Sequence, residues 1–121
     1  MNLMISKTDF KRDKKHLAFI RQLPCSVCAT NYAIDAAHIR FANPCGTGLK
    51  PSDEHTVPLC RNHHSEQHLW PTGEEAWWEV RGRDPQDISK TLWCISKKDW
   101  PQSQRISTAE EYVRTINGFI K

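Results

Sequence analysis

The sequence predicts an α+β fold: a short hairpin stapled by metal ligands, set between helices. Three observations predict it. Four of the five cysteines and five of the six histidines fall between Cys25 and His68. Two of the ligand pairs there, Cys25-Ser26-Val27-Cys28 and Cys60-Arg61-Asn62-His63, are each split by two residues, the spacing that lets one turn aim both side chains at a tetrahedral ion. Between those pairs lie two short apolar segments, and beyond them the apolar residues recur at helical spacing.

The elements follow in order. A first helix is expected from Asp9 or Lys11 to Leu23, with Leu17, Ile20 and Leu23 as its apolar stripe and Pro24 as its stop. A cysteine turn comes next. Residues 33–40 read as a strand, Asn43 to Gly48 as a turn-rich loop, and Thr56-Val57-Pro58-Leu59 as a second strand whose proline implies an edge or a turn start. A helix from Asn62 to Leu69 carries the histidines. Thr72 and Glu75 form a capping-box pattern before Ala76-Trp77-Trp78-Glu79-Val80, and Asp84-Pro85 suits the cap and first residue of a helix containing Ile88, Leu92 and Ile95. Ser107 and Glu110 make another capping box before Tyr112, Val113 and Ile116, with Gly118 as the stop. The five tryptophans, Trp70, Trp77, Trp78, Trp93 and Trp100, are expected mainly as core, and Cys94 as a helix-core thiol.

At 121 residues the chain reads as one domain: a basic segment and helix over 1–24, a metal-stapled centre over 25–70 and a helical part over 71–121. Hydrophobic content of 38% is low for a globular domain, which fits a metal staple in place of some apolar core. No apolar run approaches the roughly 20 residues of a membrane span, and the opening residues lack the apolar stretch of a signal peptide. A reducing, cytoplasmic setting is therefore expected, where such cysteines serve as metal ligands rather than disulfides. Net charge is +3, compatible with nucleic acid without requiring it, although Lys7, Lys11, Arg12, Lys14 and Lys15 concentrate positive charge near the start.

One zinc on Cys25, Cys28, Cys60 and His63 would close the hairpin, with thiolates at about 2.3 Å and imidazole at about 2.0–2.1 Å. His64 cannot easily share that ion, because adjacent helical residues diverge by about 100°. It faces elsewhere, together with His68 at i+4. The closed hairpin can bring Asp35 and His38 over this pair. Their odd spacing sends them to opposite sides of a regular strand, so both reach one site only if the strand bulges or one of them plays a supporting role.

At these residues a resemblance enters. Cys-x2-Cys, then Asp35-Ala36-Ala37-His38-Ile39, then Val57-Pro58-Leu59-Cys60-Arg61-Asn62-His63-His64 resembles the HNH endonucleases, whose fold is the ββα-metal finger. Ala37-His38-Ile39-Arg40 with Cys45-Gly46-Thr47-Gly48-Leu49-Lys50-Pro51-Ser52-Asp53 is similar to a phage and prophage branch that includes the recombination enhancement nuclease Ref and YbcO-like proteins. The likeness covers residues 20–95 and is specific from 25 to 68.

The resemblance implies metal-dependent hydrolysis of DNA phosphodiester bonds, with a structural zinc, a catalytic divalent metal (magnesium, manganese or zinc), DNA as partner and a recombinase as a further one. His38 matches the general base. His64 and His68 match metal ligands, and Asp35 takes the ligand role that many relatives place where this chain has Ala37. His55 stands where the motif has its central Asn, to orient His38, bind phosphate, or do neither. Asp53 suits a carboxylate that orients a ligating histidine. Arg40, Lys50 and Arg61 are candidates to hold the nucleic-acid backbone. A rival reading, favoured by Ala37 and His55, is a zinc-stabilised nucleic-acid or protein binding module without catalysis.

Overall fold

The computed structural model describes residues 12–41 and 51–118. The lysines at 7 and 11, the loop of Cys45, Gly46 and Gly48, and Lys50 lie outside those residues. The element order is α1 (Lys14–Arg21), β1 (Ile34–His38), β2 (Thr56–Cys60), α2 (Arg61–His68), α3 (Glu74–Arg81), α4 (Pro85–Ser96) and α5 (Gln102–Ile116). The chain is thus α+β, with a two-stranded sheet and five helices among the described residues.

Asp13 sets the start of α1: its carboxylate accepts from His16 N at 3.0 Å, satisfying one of the helix's open donors. The helix stops at Arg21, two residues short of the expected end. Leu23 precedes Pro24, and the proline ring disfavours helical backbone there. The expected stripe is also recentred. Ile20 and Leu23 are fully buried, but Leu17 is only partly so, and Phe19 and His16 complete the inward face.

The strands pair antiparallel in unbroken register from Ile34↔Cys60 to His38↔Thr56. All five residues of β2 are buried. Pro58 is tolerated because, among the described residues, neither strand has more than one neighbour, and its carbonyl accepts both the backbone N–H and the hydroxyl of Ser26, at 2.9 and 2.8 Å. That pair of bonds fastens the cysteine turn to the hairpin.

Two expected caps are wrong. The α3 helix begins after Gly73 (φ 101°), not with a Thr72–Glu75 box. The α5 helix begins directly after Pro101, so Ser107 lies in its interior. Proline's fixed φ and missing N–H already suit a helix entrance, and a Ser-x-x-Glu pair is equally compatible with the middle of a helix. The Asp84–Pro85 start of α4 is as expected, with Asp84 accepting from Gln86 N at 3.0 Å.

The core joins every helix but α2 to the hairpin: Phe19, Ile20 and Leu23, Ile39, Val57 and Leu59, Trp77 and Trp78, Ile88 and Leu92, Ala109 and Val113. Trp77 and Trp78 meet edge to face at 5.0 Å. Cys94, in contrast, is exposed, so it is not the core thiol expected. At the far end Asn117 donates to Cys25 O at 3.2 Å and accepts from Arg83, tying α5 to the cysteine turn. No helix among the described residues is long and apolar enough to cross a membrane.

Candidate metal centre

The cysteine turn is shaped by its backbone. Ala29 N donates to Cys25 O and Cys25 N donates to Thr30 O, both at 2.9 Å. Ala29 (φ 64°) and Ala33 (φ 54°) take the left-handed conformation, which costs a residue with a side chain but reverses the chain tightly. Cys60 closes β2 and stands at the N-cap of α2, so His63 comes round one turn later. The result is convergence. The ligand atoms of Cys25, Cys28, Cys60 and His63 all lie within 4.8 Å of one another. Cys25 Sγ and Cys60 Sγ are 3.7 and 3.2 Å from His63 Nδ1, and Cys28 Sγ is 4.0 Å from Cys60 Sγ.

Those spacings suit one ion. Donors at about 2.3 Å around a tetrahedron stand about 3.7 Å apart. The four residues are therefore placed to bind a metal ion, and three sulfurs with one nitrogen are the donor set of a structural zinc. Burial, then the nearby Arg81 charge, lowers the His63 pKa and favours the neutral imidazole a metal requires.

The second cluster lies on the other side of α2. Asp35 Oδ2 accepts from His64 Nδ1 at 3.0 Å, and its Oδ1 accepts from Arg61 at 3.1 Å. His64 Nε2 faces His68 Nε2 at 3.2 Å. Burial alone would raise the Asp35 pKa, but the bonds from His64 and Arg61 outweigh it and hold the carboxylate charged. Burial, His64 and Arg40 lower the His68 pKa. These three groups are linked in series, not gathered on one point. Asp35 stands behind His64, on the ring nitrogen opposite the one that meets His68. This geometry differs from the expectation that all three ligate directly, and it fits a carboxylate that fixes a histidine's tautomer.

His38 belongs to a different group. Its Nε2 meets Asp53 Oδ1 at 2.9 Å. Asp53 also accepts from Asp13 N at 2.7 Å and pairs with Arg12 at 3.6 Å. Burial opposes ionisation of Asp53, and the His38 and Asp13 bonds with the Arg12 charge overcome it, so its pKa is lowered. Asp53 is expected to orient a ligating histidine, but the histidine it meets is His38, the expected base, and not His64 or His68. The strand does not bulge, so Asp35 and His38 part company as the alternation requires.

The remaining expected residues divide. His55 pairs with Glu54 at 3.4 Å and lines a cavity against Asp84, Asp87 and Trp93 of α4 and its cap. Arg61 is committed to Asp35, although its side chain is largely exposed. The Arg40 backbone N–H donates to Glu74 at 3.2 Å. Sequence reasoning missed Glu74. Burial raises its pKa, and it feels the charges of Arg40 and His64, which places it beside the second cluster. Its only signal was an acidic residue in a helix's first turn, which is common on structural grounds alone.

A family model described as "Protein of unknown function (DUF968)" matches residues 1–96, and the chain belongs to that family. No curated protein and no solved structure matches it.

Proposed function

We propose that this protein is a metal-dependent HNH-type endonuclease that hydrolyses DNA phosphodiester bonds. One observation carries the reading: the His64–His68 pair, with Asp35 behind it, is complete without the Cys3His clamp and is not needed by it. Two imidazoles on one ion at about 2.0–2.1 Å stand about 2.9–3.4 Å apart, and the pair is spaced at 3.2 Å. Magnesium, manganese or zinc bound there would supply positive charge for a phosphate and its leaving oxygen.

The chain's own residues do the rest. Asp35 holds His64 through Nδ1 and so presents Nε2 outward. Asp53 accepts from His38 Nε2, which orients the ring and puts the basic lone pair of the neutral imidazole on Nδ1. His55 takes no part in this scheme, because its side chain turns to Glu54 and α4. Arg40 and the Arg61 guanidinium lie close enough to the second cluster to add charge for a DNA backbone. A recombinase partner, a phage or prophage origin and a cytoplasmic location rest on the sequence resemblance and composition only.

The rival, a binding module without catalysis, is favoured by the unbroken strand, which sends His38 and Asp35 to different partners. Plasmid nicking measured against magnesium, manganese and zinc concentration decides between them. Wild type should nick. His38→Ala should lose about 10²–10⁴-fold in rate at every metal concentration, as loss of a base does. His64→Ala should lose activity but recover part of it in excess metal. Absence of nicking with every metal gives the binding module.

A further inference from the structure

His38 is held by Asp53, and Asp53 is itself held from outside both metal clusters. It is 3% exposed. Its backbone is set by its own turn: Asp53 O accepts from the Thr56 hydroxyl at 2.8 Å, and Ser52 O accepts from His55 N at 3.0 Å. Its carboxylate is set by the start of α1. Oδ2 accepts from Asp13 N, the N–H of the helix cap, at 2.7 Å. In a capping box a Glu or Gln three residues on accepts that N–H, but His16 occupies that position and the first turn of α1 has no acidic residue. Asp53 supplies the missing acceptor from 40 residues away.

Oδ1 has different partners. His38 Nε2 meets it at 2.9 Å, and Arg12 Nη1 stands 3.6 Å from it. The same Nη1 donates to Pro51 O at 2.8 Å. Arg12 thus joins the entrance of α1 both to the loop backbone just ahead of Asp53 and to the oxygen that His38 uses. Its charge also helps to keep the buried carboxylate ionised, after the bonds from His38 and Asp13. The sequence alone places Arg12 among the basic residues near the start, as charge for nucleic acid. In the structure its guanidinium turns to this loop.

We propose that Arg12 is a positioning residue for His38, acting through Asp53: it fixes the loop and the oxygen that hold the imidazole with its proton on Nε2. The proposal rests on the nuclease reading in that His38 is the base. A positioning residue and a DNA contact differ in what they change. Loss of the first lowers kcat, whereas loss of the second raises KM.

Two measurements on the metal-loaded full chain test it: long-range nitrogen–proton NMR of the His38 ring, and nicking kinetics. In the wild type the neutral His38 ring should carry its proton on Nε2. Arg12→Gln, a change at a half-exposed side chain, should populate the Nδ1–H form as well. It should lower kcat about tenfold, as loss of a supporting partner does, and leave KM and metal content unchanged. Arg12→Lys restores the cation without the guanidinium fork and should recover part of the rate. If the wild type nicks with no metal, the nuclease reading fails, and the His38 tautomer in Arg12→Gln alone decides the positioning. A His38 spectrum unchanged in Arg12→Gln overturns the proposal. So does a raised KM with kcat unchanged, which would make Arg12 a DNA contact.

Discussion

The two clusters that share α2 are built on opposite plans. At the clamp, four ligand atoms converge within 4.8 Å of one another: two from the cysteine turn, one from the end of β2 and one from the first turn of α2. Across the helix, Asp35, His64 and His68 form a chain, each touching the next. A closed donor set holds an ion as part of the fold; a chain that ends in two imidazole nitrogens leaves room for something else to coordinate. Adjacent histidines, His63 and His64, thus fall in two different clusters because the helix turns by about 100° between them.

The comparison breaks if the clamp is dispensable. Cys60→Ser should lose the tightly bound metal and cooperative unfolding together, because structural zinc supplies about 10–16 kcal/mol of apparent binding free energy, and a domain's net stability is about 5–15 kcal/mol. Metal analysis and thermal melting check this; a variant that keeps its metal and melts like wild type refutes the clamp.

Acid sharpens the comparison, since it attacks both the clamp and His16. Burial, the main cause, holds the His16 pKa down from 6.5 to about 4. The unfolded chain therefore binds the proton more readily. The stability this neutral histidine contributes is fully present above pH 6.5 and is lost as pH falls toward 4, up to about 3 kcal/mol in all. In His16→Phe, stability should depend less steeply on pH across that window, by up to one proton. Equal slopes in the two proteins would assign acid sensitivity to the clamp alone.

The smallest effect concerns Asp35. Asp35→Ala should weaken metal binding by His64 and His68 about 10–100-fold, as loss of a supporting carboxylate does, and leave the clamp metal in place. Manganese titration followed by paramagnetic relaxation reads the first quantity, and zinc analysis the second. Loss of the clamp metal in this variant would show that the two clusters are one.

Much of this was legible in the residues, for a physical reason. The clamp depends on local spacing, Cys-x2-Cys and Cys-x2-His, and the helix phase of His63, His64 and His68 follows from their numbers alone. The hairpin and most helices were visible as apolar periodicity. What escaped depends on distant partners. His16 is buried because Trp93 and Ser96 come to it from about 80 residues away. Whether Asp35 ligates or orients is decided by which nitrogen of His64 it meets, which no sequence pattern encodes. The false caps at Thr72 and Ser107 arose because a Ser/Thr-x-x-Glu pattern is not unique to helix starts, whereas Gly73 and Pro101 beside them mark the real boundaries.

Cys60 ends a strand, stands at the cap of a helix and joins the clamp, all at one position. The clamp thereby acts as an index mark for α2, fixing its rotation as a keyway fixes a shaft. Exchange of Asn62, which is exposed, leaves that phase alone. Insertion or deletion of a single residue between Cys60 and His63 would turn every later side chain by about 100° and exchange the duties of neighbours. Divergence along this helix is therefore expected to proceed by replacement, with its length from Cys60 to His68 held constant.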